Sequence, residues 1–109
     1  MYVPQRGDVI WITLNPQVGR EQAGRRPALV LSPASYNEKV GLAIVCPITS
    51  QQKGYPFEVL VPPDLPVKGV VLADHVRSLD WQGRAAQHIC TLPQPTIEEV
   101  LGKLQALLG

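Results

Sequence analysis

No excess of either charge marks this chain of 109 residues: 10 lysines and arginines stand against 9 acidic residues, for a net charge of +1. That excludes a protein holding nucleic acid by its overall field, but not one with a local cationic site. Charged residues make up only 17% of the chain and apolar residues 45%, too little charge for a disordered tail and enough apolar surface for a packed core. Cysteine is scarce. Cys46 and Cys90 make no disulfide framework, and Cys46 lies in an apolar run where a thiol behaves as a small hydrophobe. The cysteines and the two histidines show no close ligand pairing, and the phosphate-cradling glycine motifs are missing, so neither a metal nor a cofactor is expected. No run approaches the roughly 18 apolar residues of a membrane span. The opening Met1 to Arg6 lacks the apolar stretch of a signal peptide. The expectation is one soluble, cytoplasmic, reduced domain over residues 1–109, small enough that a partner subunit would add useful stability.

What the chain has in quantity is punctuation, with 11 prolines and 9 glycines. Between them lie short β-branched runs: Asp8 to Leu14, Pro27 to Ser32, Leu42 to Ile48, Phe57 to Val61, Gly69 to Ala73, His75 to Leu79 and Ala85 to Leu92. Ala34 to Lys39 has room for one helical turn. The period changes at the C-terminal end, where Ile97, Val100, Leu101, Leu104, Leu107 and Leu108 form one helical stripe. Thr96 and Glu99 have capping-box spacing, with Pro95 ending the preceding segment. Many short strands followed by one amphipathic helix predict a mostly β fold with α: a small, curved, antiparallel barrel carrying a helix.

Two polar loops interrupt the strands. Residues 19–27 (GREQAGRRP) hold Arg20, Glu21, Gln22, Arg25 and Arg26 between two glycines and a proline. A guanidinium offers a planar fork of donors suited to phosphate oxygens, and the residue before a proline is biased to extended backbone, which anchors Arg26 where the strand begins. The ordinary alternative is a solvated loop with a surface Arg–Glu pair of little energetic weight. Residues 49–54 (TSQQKG) offer two hydroxyls, two amides and a cation. They suit phosphate and base-edge contacts but are equally common in hairpin loops. His75 and His88 have the chemistry for acid–base work, yet their spacing does not bring them together. Trp11 and Trp81 read as core or subunit-contact aromatics.

Taken in order, Gly7-Asp8-Val9-Ile10-Trp11, Glu21-Gln22-Ala23-Gly24-Arg25-Arg26-Pro27-Ala28, Val30-Leu31-Ser32, Pro47-Ile48-Thr49-Ser50-Gln51, Lys53-Gly54-Tyr55-Pro56-Phe57-Glu58 and Leu72-Ala73-Asp74-His75-Val76-Arg77-Ser78 resemble the MazF/PemK family. The likeness runs from about residue 6 to the end of the chain. It implies an SH3-like antiparallel barrel of the MazF/CcdB kind with a C-terminal helix, acting as a homodimer. It also implies a sequence-specific endoribonuclease (mRNA interferase) of a type II toxin–antitoxin module. Such toxins cleave single-stranded RNA without metal, leave a 2′,3′-cyclic phosphate and a 5′-hydroxyl, and are covered by a MazE-type antitoxin. By position, the family's catalytic arginine falls on Arg26, its threonine on Thr49 and its acidic residue on Glu21. Two departures bear on base reading: many relatives have serine where this chain has Arg20, and glutamine where it has His75.

The chemistry implied is attack of a ribose 2′-hydroxyl on the adjacent phosphorus. A guanidinium is a poor general base, so the role expected of Arg26 is to stabilise charge on the phosphorane. Glu21 is the candidate base, and Thr49 a hydrogen-bond donor to a phosphate oxygen. Arg20, Gln22, Arg25, Ser50, Gln51, Lys53 and Arg77 are the expected RNA contacts, since unstacked bases expose edges that side chains read. Rival expectations are a CcdB-like gyrase poison and a non-catalytic SH3-like binding module. The pieces around Arg26 and Thr49 favour the nuclease.

Overall fold

The structure, a computed structural model, describes residues 1–14 and 24–109. Its elements are β1 (Asp8–Thr13), β2 (Arg25–Val30), α1 (Ala34–Val40), β3 (Ala43–Thr49), β4 (Glu58–Leu60), β5 (Val70–Leu72), β6 (Arg77–Leu79), β7 (Gln87–Thr91) and α2 (Gln94–Leu108). The strands join one antiparallel sheet in the order β4-β5-β3-β2-β1-β7, and β6 pairs with β3 off that path. Each predicted strand is found: β2 and β3 keep their predicted lengths but are shifted by two and one residues, and the others are one to three residues shorter. The predicted strand from His75 shrinks to Arg77–Leu79, because the His75 N–H closes a turn by donating to Leu72 O at 3.1 Å.

Alternation along the strands builds two cores, one on each face. Val9, Leu29, Cys46, Ile48, Val59 and Val71 lie on the face that receives Ile97 and Val100 of α2. Ile10, Ile12, Ala28, Val30, Ala43 and Val45 lie on the other, against Leu79 and Trp81. Buried in the first core, the Cys46 thiol is pushed up to about 12, chiefly by desolvation, which makes it an inert hydrophobe as its sequence context implies. Trp81 is a core residue whose indole N–H donates to Asn37 O at 3.0 Å, whereas Trp11 stays exposed.

Two expectations are corrected. The sheet is open rather than a closed barrel, since β4 and β7 are its two ends. Helix α2 leaves β7 and packs on β4, so a helix and not a strand pairing covers that gap. The capping box is also absent. Pro93 is the N-cap and Pro95 lies in the first turn, where its missing N–H removes a donor that would have no intrahelical partner. Thr96 is therefore a buried helical residue. The apolar stripe packs through Leu104, and Leu107 and Leu108 are exposed.

The start of β1 carries a buried carboxylate. Asp8 Oδ2 accepts the Tyr2 hydroxyl at 2.6 Å and Gln5 N–H at 3.1 Å, and its Oδ1 accepts the Thr91 hydroxyl at 3.2 Å. His88 Nε2 lies 3.7 Å from Oδ1. Burial, then the bond to Asp8, then its charge raise the Tyr2 hydroxyl far above the ordinary tyrosine value of 10.0. The folded state thus favours neutral Tyr2. Its contribution to stability is present in full below the unfolded value near 10.0 and is lost as the pH rises above it. Urea midpoints of the parent chain should therefore fall more between pH 8 and pH 11 than those of Tyr2→Phe. Equal falls would remove Tyr2 from the alkaline transition.

Candidate active site

Thr49 ends β3 and faces Val70 of β5, and Glu58 of β4 faces Leu72 of β5. Their neighbours Ile48, Val59 and Val71 point into the α2-side core. By alternation Thr49, Glu58 and Leu72 share the opposite face, which at this end of the sheet is open. With Gln51, Lys53, Tyr55, Asp74 and His75 they line a cleft of about 550 Å³.

Arg26 comes to the same face through β2. Ala28 pairs with Pro47, Leu29 with Cys46 and Val30 with Val45. Carried two residues beyond Ala28–Pro47, this register sets Arg26 opposite Thr49, both on the face of Ala28 and Val45. Arg26 is partly exposed, and its strand is held by β1 through the pair Ile12–Arg26. Arg25 is the adjacent residue and so points to the other face. Its guanidinium donates to Thr13 Oγ1 at 3.2 Å, Arg84 O at 3.3 Å, Ala85 O at 2.6 Å and Gln87 Oε1 at 3.2 Å. Arg25 thus clamps the turn before β7, in which Ala85 has φ 55°. The structure does not bring it to the cleft. Arg77 donates to Leu14 O at 3.3 Å and pairs with Val45, which sets it on the same face as Thr49, though outside the lining of the cleft.

The Thr49 side chain is almost fully buried, and its Oγ1 accepts Gln51 N–H at 3.2 Å. That leaves the hydroxyl hydrogen available as a donor. Gln51 and Lys53 reach the cleft, and Ser50 is exposed beside it. Glu58 accepts the N–H groups of Lys53 and Gly54. His75 Nε2 lies 4.0 Å from Asp74 Oδ1 within the cleft, whereas His88 belongs to the Asp8 cluster and faces the Tyr2 ring at 5.7 Å. The two histidines line different parts of the molecule. Arg20, Glu21 and Gln22 lie outside the described residues.

Sequence reasoning did not place Tyr55, Glu58, Leu72 and Asp74 in the site. The alternation of β4 and β5 carries the signal for Glu58 and Leu72. Asp74 and His75 arrive through a turn, which no periodicity reveals.

An antiparallel sheet with a C-terminal helix packed on it and a polar cleft beside Thr49 is an architecture this chain shares with a class of small toxins. Residues 5–108 match the family described as PemK-like, MazF-like toxin of type II toxin-antitoxin system, and the chain belongs to that family. It is 44% identical over 108 residues to the endoribonuclease toxin MazF of Escherichia coli K12, covering 99% of this chain and 96% of the relative. Among solved structures, MazF from Deinococcus radiodurans superposes with a TM-score of 0.97 at 57% identity, covering 100% of this chain and 99% of that one. The same organism's MazE–MazF complex (Form-II) gives a TM-score of 0.91 at 57% identity, covering 100% and 98%.

Proposed function

We propose that this protein is an endoribonuclease toxin of a type II toxin–antitoxin module, cutting single-stranded RNA in the cleft where Arg26 faces Thr49. The observation that supports the reading is the polar cleft lined by Thr49, Gln51 and Lys53, toward whose face the β2–β3 register, continued past Ala28–Pro47, turns Arg26. In the reaction the 2′-oxygen forms a bond to phosphorus and the bond from phosphorus to the 5′-oxygen breaks. The 2′-proton passes to a base, and water supplies the proton that the leaving 5′-oxygen takes up. Arg26 stabilises the charge that builds on the non-bridging oxygens, and Thr49 donates a hydrogen bond to one of them. Glu21 is the candidate base by its place in the family pattern. No metal is required by this scheme, because the charge is met by the guanidinium and by Lys53 nearby.

Gln51, Lys53 and Ser50 hold the flanking nucleotides, with Arg20 and Gln22 contributing from the first polar loop. The partners are the RNA, a MazE-type antitoxin that covers the cleft, and a second copy of the chain in a homodimer. The exposed Val40, Ile44, Leu60 and Leu107 are apolar surface of the kind a second copy covers. We read the open, curled sheet as a form of the SH3-like barrel in which α2 fills the gap, related in architecture to CcdB toxins. Its site of action is the cytoplasm, where messenger RNA is found. Among the described residues no helix is long and apolar enough to cross a membrane.

The test is a gel of purified protein with naked single-stranded RNA. Cleavage that weakens steeply with salt and stops when the antitoxin is added is the expected outcome. Intact RNA together with trapped DNA gyrase, or intact RNA with antitoxin binding alone, would refute the nuclease reading.

A further inference from the structure

We propose that Glu58 is a positioning residue for this reaction: its carboxylate fixes the loop of residues 50–54 over the cleft. The inference rests on the reading above that the cleft takes RNA. A carboxylate lining a cleft for a polyanion opposes binding unless its charge is engaged. Here it is engaged. Glu58 Oε1 accepts Gly54 N–H at 2.9 Å and Oε2 accepts Lys53 N–H at 3.1 Å. Two successive N–H groups directed at one anion form a compact anion-binding concavity. Gly54 has φ +83°, and a Cβ there would meet nothing within 4 Å, so conformation and not space calls for glycine.

The carboxylate stands on a paired strand, since Glu58 faces Leu72 of β5. Lys103 of α2 braces the same strand from behind, donating to Pro56 O at 2.5 Å and Glu58 O at 3.3 Å. The loop's other end is pinned where Thr49 Oγ1 accepts Gln51 N–H at 3.2 Å. Gln51 and Lys53 are therefore held between two fixed points, one at the threonine and one at the carboxylate. The seat on Glu58 governs how the substrate is held, and the chemical step stays with Arg26 and Thr49.

Steady-state cleavage of a short single-stranded RNA tests this against the parent chain. Glu58→Ala should raise KM about tenfold while kcat stays within about threefold, and Glu58→Gln, which keeps an acceptor oxygen, should recover most of the loss. In Glu58→Ala the amide hydrogens of Lys53 and Gly54 should exchange about tenfold faster, with that of Val71 unchanged. A lower KM in Glu58→Ala would overturn the proposal, since the carboxylate would then be competing with phosphate for the two N–H groups. Unchanged KM and exchange, or a fall in kcat alone, would overturn it as well. If the parent chain cleaves no RNA, the nuclease reading fails and amide exchange alone decides the seat of Glu58. If the parent cleaves and Glu58→Ala matches it, only the present proposal fails.

Discussion

An Arg26→Ala variant is expected to fold and to hold single-stranded RNA, but to cleave it more slowly by a factor on the order of 10²–10³. The phosphorane carries more charge on its oxygens than the starting diester does, so a donor fixed there stabilises the transition state more than the ground state. Arg26 is suited to that task because β1 pairs with it through Ile12 and β3 pairs with β2 from Ala28 onward, which fixes the strand that carries it. The residue is partly exposed, so its truncation leaves the apolar side chains of both cores in place. Arg26→Lys should fall between the two, since it keeps the charge and loses the fork. Single-turnover cleavage at saturating enzyme, with circular dichroism as the control for folding, checks the prediction. Undiminished cleavage by Arg26→Ala would remove this residue from the mechanism.

A loss of stability together with a smaller loss of rate should follow from a methyl group placed away from the reacting atoms. Gly69 has φ +115°, and a Cβ built there would lie 2.0 Å from Thr49 O and 2.8 Å from Ser50 Cα. Both obstacles are backbone, so no rotamer change relieves them. Gly69 also precedes Val70, the strand partner of Thr49, and its carbonyl accepts Val61 N–H at 2.9 Å. Gly69→Ala should therefore destabilise the fold by about 2–4 kcal/mol, combining backbone strain with displacement of the β3 end. Where the variant is still folded, at low temperature, kcat should fall at least about tenfold because Thr49 has moved. Gly102→Ala, on a helix and with nothing within 4 Å, is the control and should stabilise slightly. Urea unfolding of all three chains separates these outcomes. A Gly69→Ala variant as stable and as active as the parent would show that the strand end adapts freely.

Much of this architecture is legible in the chain because β-branched runs bounded by proline and glycine mark strands, and the stripe from Ile97 marks a helix. What is not legible is what tertiary geometry decides. Arg25 and Arg26 read as one cationic pair, yet one residue of strand alternation sends them to opposite faces, Arg25 to a structural clamp and Arg26 to the cleft face. Thr96 and Glu99 fit a capping box, but Pro93 and Pro95 start the helix earlier because proline tolerates the first turn. The curl of the sheet is visible in the short strands, whereas its open gap depends on α2 packing against β4. In the site, Thr49, Gln51 and Lys53 follow from one polar loop. Asp74 and His75 join them only because the turn after β5 folds beside that loop.

The central claim is best tested by the chemistry of the cut ends. The protein, treated with a chelator, is given a long single-stranded RNA, and both termini at each cut are characterised. The account predicts cleavage at a short recurring motif, with a 2′,3′-cyclic phosphate on one side and a 5′-hydroxyl on the other. A 5′-phosphate with a 3′-hydroxyl, or cleavage that appears only when a divalent metal is restored, would contradict it.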